Sequence, residues 1–166
     1  MTPFSSPNSH HLAAAQGWLE LGDYLSANEE LEKIEPGLRV HPDVLEVRWQ
    51  IYAKEKKWDV CVDIAGALVA KAPERPFGWV HRSFALHELK QTQLASDLLE
   101  PAADLFTDVW IIRYNLACYA SRLGKHDEAW EWLTDAFDLT DDENAVKLMA
   151  LDDDDLEPFW AEIGEI

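Results

Sequence analysis

The sequence predicts an all-α protein, a solenoid of antiparallel helix pairs, because one pattern recurs along the chain at a fixed interval. Aligned on itself with an offset of 34 residues, the chain shows four successive units without an insertion. Within each unit, small or apolar residues recur at spacings of three and four, which place them on one helix face. Two such stretches occur in every unit, so a helix pair is the expected repeating element.

The second helix of each unit is defined by four columns of residues. Read at the 34-residue offset, these columns are Tyr24, Trp58, Thr92 and His126; Ala27, Cys61, Ala95 and Ala129; Leu31, Ala65, Leu99 and Leu133; and Ile34, Leu68, Ala102 and Ala136. The last three columns contain only small or apolar residues, so they predict the face that packs into the core.

The first helix of each unit combines bulky and small residues, as two closely packed helices require. Its columns are Ala15, Trp49, Ser83 and Ala117, and Trp18, Tyr52, Leu86 and Ala120. Between the two helices, Gly22 and Gly124 share a column with Lys56 and Lys90. Gly suits the left-handed conformation that ends a helix, whereas Lys is tolerated there at a cost.

Together these columns resemble the tetratricopeptide repeat family. The fourth unit, YNLACYASRLGKHDEAWEWLTDAFDL, is the clearest match, and the third is the weakest. The third unit lacks the turn Gly, has Thr92 in place of the aromatic residue, and carries Pro101, which is expected to kink or shorten its second helix. The resemblance covers about Ser9 to Asp141 and implies a right-handed superhelix.

The predicted domain organisation has three parts. Residues 1–8 form a loose arm, residues 9–141 form the four repeats, at about 8–41, 42–75, 76–109 and 110–141, and residues 142–166 form capping helices. The cap contains two apolar groups, Val146, Met149 and Ala150, then Leu156, Phe159, Trp160 and Ile163. Aspartates before the second group predict a helix N-cap, and the stretch LDDDDLEPFW resembles the acidic tail of bacterial proteins of this family.

Charge and composition exclude several function classes. The net charge is -18, and residues 127–166 hold 15 acidic residues against one Lys, so nucleic acid is disfavoured as a partner. The N-terminal residues lack the pattern of a secretory signal, and no apolar run is long enough to span a membrane, so we expect a cytoplasmic protein. Cys61 and Cys118 lack metal-site spacing and are expected to be reduced core thiols.

No catalytic motif, cofactor site or metal site is recognisable, so we expect a protein that is not an enzyme. His10 and His11 are adjacent in the expected loose arm, and His81 and His87 point in different directions on one helix. The aspartates at 152–155 lack the Gly and Glu positions of a calcium-binding EF-hand loop, which makes helix capping the stronger interpretation.

The family resemblance implies that the first helices line a concave groove. The residues that we single out there as partner-binding candidates are Gln50, Lys54, Phe77, Val80, Phe84, His87, Tyr114 and Arg122. Aromatic anchors beside Arg are typical of binding hot spots, and Tyr114 and Arg122 are the strongest candidates for exposure. The alternative is that some of these side chains belong to the core or are covered by the C-terminal helices.

The leading functional hypothesis is an adaptor or assembly module that binds a peptide or helix of a partner protein, as a monomer or weak homodimer. A family branch that clamps chaperone C-termini uses Lys and Asn, but the Asn column here holds Gln16, Gln50, Phe84 and Cys118. The alternative is a small acidic chaperone of the type III secretion class. Neither hypothesis includes nucleic acid, a membrane or a cofactor.

Overall fold

The computed structural model of the chain describes residues 4–165, and every regular element in that part is helical. The α-helices are α1 (Asn8–Glu20), α2 (Tyr24–Glu32), α3 (Pro42–Lys54), α4 (Trp58–Lys71), α5 (Pro76–Glu88), α6 (Thr92–Leu105), α7 (Trp110–Arg122), α8 (His126–Leu139), α9 (Glu143–Leu151) and α10 (Trp160–Glu165). A 3₁₀ turn, Pro36–Leu38, precedes α3, and a 3₁₀ helix, Asp154–Phe159, leads into α10.

The helix starts repeat at the interval seen in the sequence. The first helices of the four pairs begin at Asn8, Pro42, Pro76 and Trp110, and the second helices begin at Tyr24, Trp58, Thr92 and His126. Each start follows the previous one in its series by 34 residues. The expected all-α class is confirmed, and the repeating element is a helix pair.

The turn within each pair has one backbone conformation in all four pairs. Positive φ angles occur at Gly22 (80°), Lys56 (54°), Lys90 (63°) and Gly124 (75°). The amide of the next residue donates back to the carbonyl five positions earlier, as from Lys125 to Ala120 at 2.9 Å. This is the Schellman arrangement that ends a helix, so the left-handed column expected from the sequence is confirmed, including its two lysines.

The loose arm expected at His10 and His11 is wrong, and of the kink or shortening expected from Pro101 the shortening is wrong. Pro101 does not shorten α6, which has 14 residues like α4 and α8. Pro101 and Asp97, whose carbonyl loses its usual amide partner, are both exposed, so water can satisfy that carbonyl. His10 and His11 do not lie in a loose arm, because both belong to α1, and His11 Nδ1 lies 2.8 Å from Glu30 Oε2 on α2.

The predicted arm of residues 1–8 lies partly outside the described residues, since residues 1–3 are not described. The remainder is anchored to the fold. The Phe4 ring lies edge-on to His41 at 5.0 Å and packs against the core of the first helices. Asn8 begins α1, is 5% exposed, and its Oδ1 accepts a hydrogen bond from the Glu35 amide.

The chain divides into two compact units, an N-terminal unit, Met1–Arg82, and a C-terminal unit, Ser83–Ile166, with the boundary inside α5. A cluster of buried side chains from α1 to α3 forms a core in the N-terminal unit: Leu12, Ala15, Ala27, Leu31, Ile34, Val44, Val47 and Ile51. In the C-terminal unit α7 is central, since nine of its 13 residues are buried.

The C-terminal unit ends in capping elements whose starts are fixed by aspartate side chains. Asp142 accepts a hydrogen bond from the Ala145 amide at the start of α9, and Asp153 accepts one from the Asp155 amide at the start of the 3₁₀ helix. The N-cap expected from the run of aspartates is confirmed. Leu156, Phe159 and Ile163 are buried behind it.

Candidate partner-binding site

The eight predicted partner-binding residues divide between the two units. Gln50, Lys54, Phe77 and Val80 lie in the N-terminal unit, and Phe84, His87, Tyr114 and Arg122 lie in the C-terminal unit. The two groups have different surroundings. In the N-terminal unit the surface of α1 and α3 is open, whereas in the C-terminal unit much of the surface of α7 is covered.

In the N-terminal unit, α1 and α3 form an open pocket. Its lining residues are Gln16, Leu19, Glu20, Gln50 and Lys54. Gln16 and Gln50 occupy the same column of consecutive repeats, and both side chains are exposed. The pocket therefore brings together two of the predicted residues, Gln50 and Lys54, with a matching amide from the preceding helix pair.

Phe77 and Val80, also in the N-terminal unit, serve packing within it. The Phe77 ring stacks on His81 at 3.6 Å and lies edge-on to Trp49 at 6.0 Å. His81 also contacts Trp49, at 4.4 Å, and burial lowers the pKa of its imidazole. Val80 is 8% exposed. Phe77 thus belongs to an aromatic cluster with Trp49 and His81, and Val80 belongs to the core.

In the C-terminal unit, an acidic segment of the chain itself, Asp152–Asp155, covers the surface of α7. The Tyr114 hydroxyl donates a hydrogen bond to Asp153 Oδ2 at 2.9 Å, and the Cys118 thiol donates to the same oxygen at 3.6 Å. Ser121 Oγ donates to the backbone carbonyl of Asp155 at 2.6 Å. Three successive turns of α7 are therefore bonded to this segment.

The Asp155 carboxylate also receives donors from α5 and from the end of α7. His87 Nε2 lies 2.7 Å from Asp155 Oδ2, and Arg122 Nε lies 3.3 Å from Oδ1. Burial raises the pKa of Asp155. The hydrogen bond from His87 and the charges of His87, Arg122 and Lys90 together lower this pKa by more than burial raises it, so it lies below its ordinary value. Asp155 is therefore held as a carboxylate.

Apolar side chains that follow the acidic segment fix it in place. Leu156 is fully buried, and the Phe159 ring stacks against Trp130 at 5.8 Å. The Trp160 indole donates a hydrogen bond to the Ala150 carbonyl at 3.0 Å. The segment is thus held from both sides, by carboxylate contacts to α7 and by a buried apolar anchor.

The expectation that Tyr114 is exposed is wrong. Tyr114 is 4% exposed, because the acidic segment lies on it, and His87 is 9% exposed for the same reason. Arg122 keeps 53% of its side chain exposed and Phe84 is 39% exposed. The alternative considered for the sequence, that C-terminal elements cover part of the first-helix surface, applies to α7.

The groups beneath the acidic segment are held in their neutral forms. Burial, together with the nearby charge of Asp153, raises the pKa of the Tyr114 hydroxyl and of the Cys118 thiol well above their usual ranges. A thiol that stays protonated is a poor nucleophile. Their arrangement therefore provides hydrogen-bond donors for a carboxylate and lacks an activated nucleophile.

Residues 4–165 contain no cluster of three His, Cys, Asp or Glu side chains with the geometry to hold a metal ion. In the same residues, no helix combines the length and the hydropathy needed to cross a bilayer.

Comparison with known proteins identifies the fold. No protein-family model and no curated protein sequence matches the chain. Among solved structures, TTC0263 of Thermus thermophilus, described as a thermophilic TPR protein, matches with a TM-score of 0.69 at 18% identity over 96% of this chain and 100% of that one. The chain has the tetratricopeptide repeat fold.

Two structures of the protein MamA also match the chain. Residues 41 to the end of MamA from Desulfovibrio magneticus RS-1 give a TM-score of 0.74 at 17% identity, over 98% of this chain and 94% of that one. MamA AMB-1 gives 0.65 at 19% identity, over 95% of each chain. At these identities the likeness concerns the tetratricopeptide repeat fold alone.

Asp153 and Asp155 are the site residues that the sequence did not single out as contacts of α7. A signal was present, because α7, WIIRYNLACYASR, has few charges and apolar residues on all sides, which is typical of a helix covered all round. A helix of this kind needs a cover on each of its sides. The stretch Asp152–Phe159 suits that role, since it combines capping aspartates with an apolar anchor.

Proposed function

We propose that this chain is a non-catalytic protein interaction module, an adaptor or assembly factor, which binds a peptide or helix of a partner protein. The observation that supports it best is the open pocket of the N-terminal unit, where Gln16, Gln50 and Lys54 converge. Under this proposal the protein works in the cytoplasm without a cofactor or metal, as a monomer or weak homodimer.

The chemistry of the pocket suits a polypeptide ligand. An amide side chain donates and accepts hydrogen bonds, so Gln16 and Gln50 can pair with both groups of a peptide backbone. Lys54 offers a positive charge to a carboxylate, and Leu19 supplies an apolar base. Repetition of Gln at the same column offers two such contacts one repeat apart, as an extended ligand requires.

The remaining candidates take different roles in this proposal. In the C-terminal unit, Phe84 and Arg122 retain exposed surface and remain candidates for partner contact. Tyr114 and His87 support the acidic segment, and Phe77 and Val80 support the N-terminal unit. Substitution of any of these four residues is expected to reduce the stability of the fold, with partner binding affected only as a result.

The test compares Lys54→Glu with Lys71→Glu, two charge reversals at equivalent places in their helices. Lys54 and Lys71 both lie in the last turn of their helices and are both exposed, but only Lys54 lines the pocket. The native chain captures its partner from a lysate of the source cell, and calorimetry then measures the affinity of the purified partner. We expect Lys54→Glu to weaken binding at least tenfold, about 1.4 kcal/mol, and Lys71→Glu to leave it unchanged.

Equal affinities for the two variants would remove the pocket from the binding surface. Failure of the native chain to retain any protein would contradict the interaction-module proposal itself.

A further inference from the structure

Arg82 is a half-buried cation without an acidic partner among the described residues. Its Nε is buried and has no hydrogen-bond acceptor, and burial alone lowers the pKa of its guanidinium. Arginine nevertheless stays charged in proteins, so Arg82 has lost part of its hydration without gaining a carboxylate. Its guanidinium lies over the Trp79 ring, whose centroid is 5.5 Å from the guanidinium carbon.

The preceding repeat shows which group is missing. Arg48 occupies the position of Arg82 one repeat earlier, and its Nη2 lies 3.0 Å from Glu32 Oε1 on α2. The residue 34 positions after Glu32 is Gly66, on α4. The repeat therefore keeps the cation at the second position but replaces the carboxylate that neutralises it with a residue that has no side chain.

The space that a carboxylate would occupy beside Gly66 is open. An added Cβ at Gly66 would have no heavy atom within 4 Å, although Gly is disfavoured in the middle of a helix. At Gly78, by contrast, α4 and α5 are in contact, since a Cβ there would lie 2.9 Å from Leu68 Cβ. Arg82 follows Gly78 by one turn of α5, so it lies on the side of α5 that faces α4.

Trp79 gives this site a fixed aromatic wall. Its indole donates a hydrogen bond of 3.0 Å to the Pro73 carbonyl, which orients the ring beneath the Arg82 guanidinium. An arginine whose flat face rests on an aromatic ring still has N–H donors along the edge of its guanidinium, which match the geometry of a planar anion.

We propose that Arg82, held on Trp79 beside Gly66, binds a carboxylate of an acidic segment of a partner protein, in the place where Glu32 serves Arg48. A carboxylate is favoured over a phosphate because the equivalent contact, from Arg48 to Glu32, is made to a carboxylate. The site shares no residue with the pocket at Gln50 and Lys54, so the two proposals fail or succeed separately.

The first experiment follows the arginine Nε–H signals by NMR in the full chain. The probe is acetyl-Ala-Glu-Ala-amide, with acetyl-Ala-Gln-Ala-amide and inorganic phosphate as the other two arms. We expect the Glu peptide to shift the Arg82 signal saturably and to leave the Arg48 signal in place, because Arg48 is already paired. The Gln peptide is expected to have no effect.

Three outcomes would overturn the proposal: equal shifts at Arg48 and Arg82, no shift at Arg82 with the Glu peptide, or tighter binding of phosphate than of the Glu peptide. The last outcome would assign the site to a phosphoryl group.

The second experiment supplies the missing carboxylate within the chain. Gly66→Glu is expected to occupy Arg82, to abolish its response to the Glu peptide, and to raise Tm by about 1–3 °C relative to Gly66→Gln. Gly66→Gln is the matched control, since it has a similar helix propensity and length but no charge. In an Arg82→Met background, the difference between Gly66→Glu and Gly66→Gln should vanish. A difference that persists there would place the added carboxylate away from Arg82 and contradict the proposed geometry.

Discussion

The Tyr114 hydroxyl donates its hydrogen bond to Asp153, a residue 39 positions later in the chain, at 2.9 Å. The two groups belong to different parts of the C-terminal unit, the first helix of a repeat and the acidic segment that follows α9. Their contact joins the cover of α7 to α7 itself, and its contribution to stability can be measured directly.

Removal of the Tyr114 hydroxyl should weaken the fold. Tyr114→Phe leaves the Asp153 carboxylate without its best donor, so we expect the free energy of unfolding to fall by about 1–2 kcal/mol. Asp153→Asn keeps a side-chain oxygen for the N-cap but removes the charge. In urea unfolding, the double variant should lose less than the sum of the single losses, with a coupling of about 0.5–2 kcal/mol.

Tyr24→Phe, at a residue that is 36% exposed, is the control and should change stability by less than about 0.5 kcal/mol. Strictly additive losses at Tyr114 and Asp153 would show that the hydrogen bond does not hold the segment.

The Asp155 carboxylate should make the C-terminal unit sensitive to acid. Its pKa in the folded protein is lower than the ordinary 3.8, so the unfolded chain takes up this proton first as the pH falls. The stability that Asp155 contributes is therefore complete above the ordinary pKa and is lost as the pH falls through the lower, folded value. The difference in unfolding free energy between native and Asp155→Asn should shrink from about pH 5 toward about pH 2.

Asp108→Asn, in the exposed connection before α7, controls for the loss of one negative charge. A difference between native and Asp155→Asn that stays constant across this pH range would mean that the carboxylate contacts add no stability.

Replacement of Lys56 by glycine should stabilise the fold. The φ of 54° at Lys56 lies in the left-handed region, where a side chain costs energy that glycine avoids. We expect Lys56→Gly to raise the free energy of unfolding by about 0.5–1 kcal/mol, measured by urea unfolding. Glu55→Gly tests the preceding residue, whose φ of -86° suits any side chain, and should lower stability. Two changes of the same sign would indicate that the turn is not strained at Lys56.

Gly78 and Gly66 should respond in opposite ways to alanine. The ideal Cβ at Gly78 meets Leu68 Cβ and the Val69 amide nitrogen at 2.9 Å, so Gly78→Ala should destabilise the fold by about 1–3 kcal/mol. Gly66→Ala meets no atom within 4 Å and should stabilise it by up to about 1 kcal/mol. Thermal unfolding measures both, and a harmless Gly78→Ala would mean that α4 and α5 do not approach as closely as described.

Features fixed by local chemistry were predictable from the sequence. The left-handed column at Gly22, Lys56, Lys90 and Gly124 follows from helix-ending geometry repeated at one interval, so two glycines identified the conformation of two lysines. The capping role of Asp153 was predictable for the same reason, since a cap depends on residues two or three positions away.

Features fixed by distant contacts were not predictable in the same way. The burial of Tyr114 depends on a partner 39 residues away, and periodicity assigns a residue to a helix face without stating what covers that face. The solitary charge of Arg82 is an intermediate case. The replacement of Glu32 by Gly66 one repeat later is visible in the sequence. Its effect on Arg82 could be inferred only from the structure, which shows that Glu32 pairs with Arg48.

The order of α7 and its cover along the chain has a consequence for biosynthesis. Asp153 leaves the ribosome 39 residues after Tyr114. For about 2–8 s, therefore, α7 is outside the exit tunnel while Tyr114 and Cys118 lack their hydrogen-bond acceptor. During that interval the nascent chain presents a set of hydroxyl and thiol donors on an otherwise apolar helix. Holding chaperones have those seconds in which to recognise it, and completion of the acidic segment ends the opportunity.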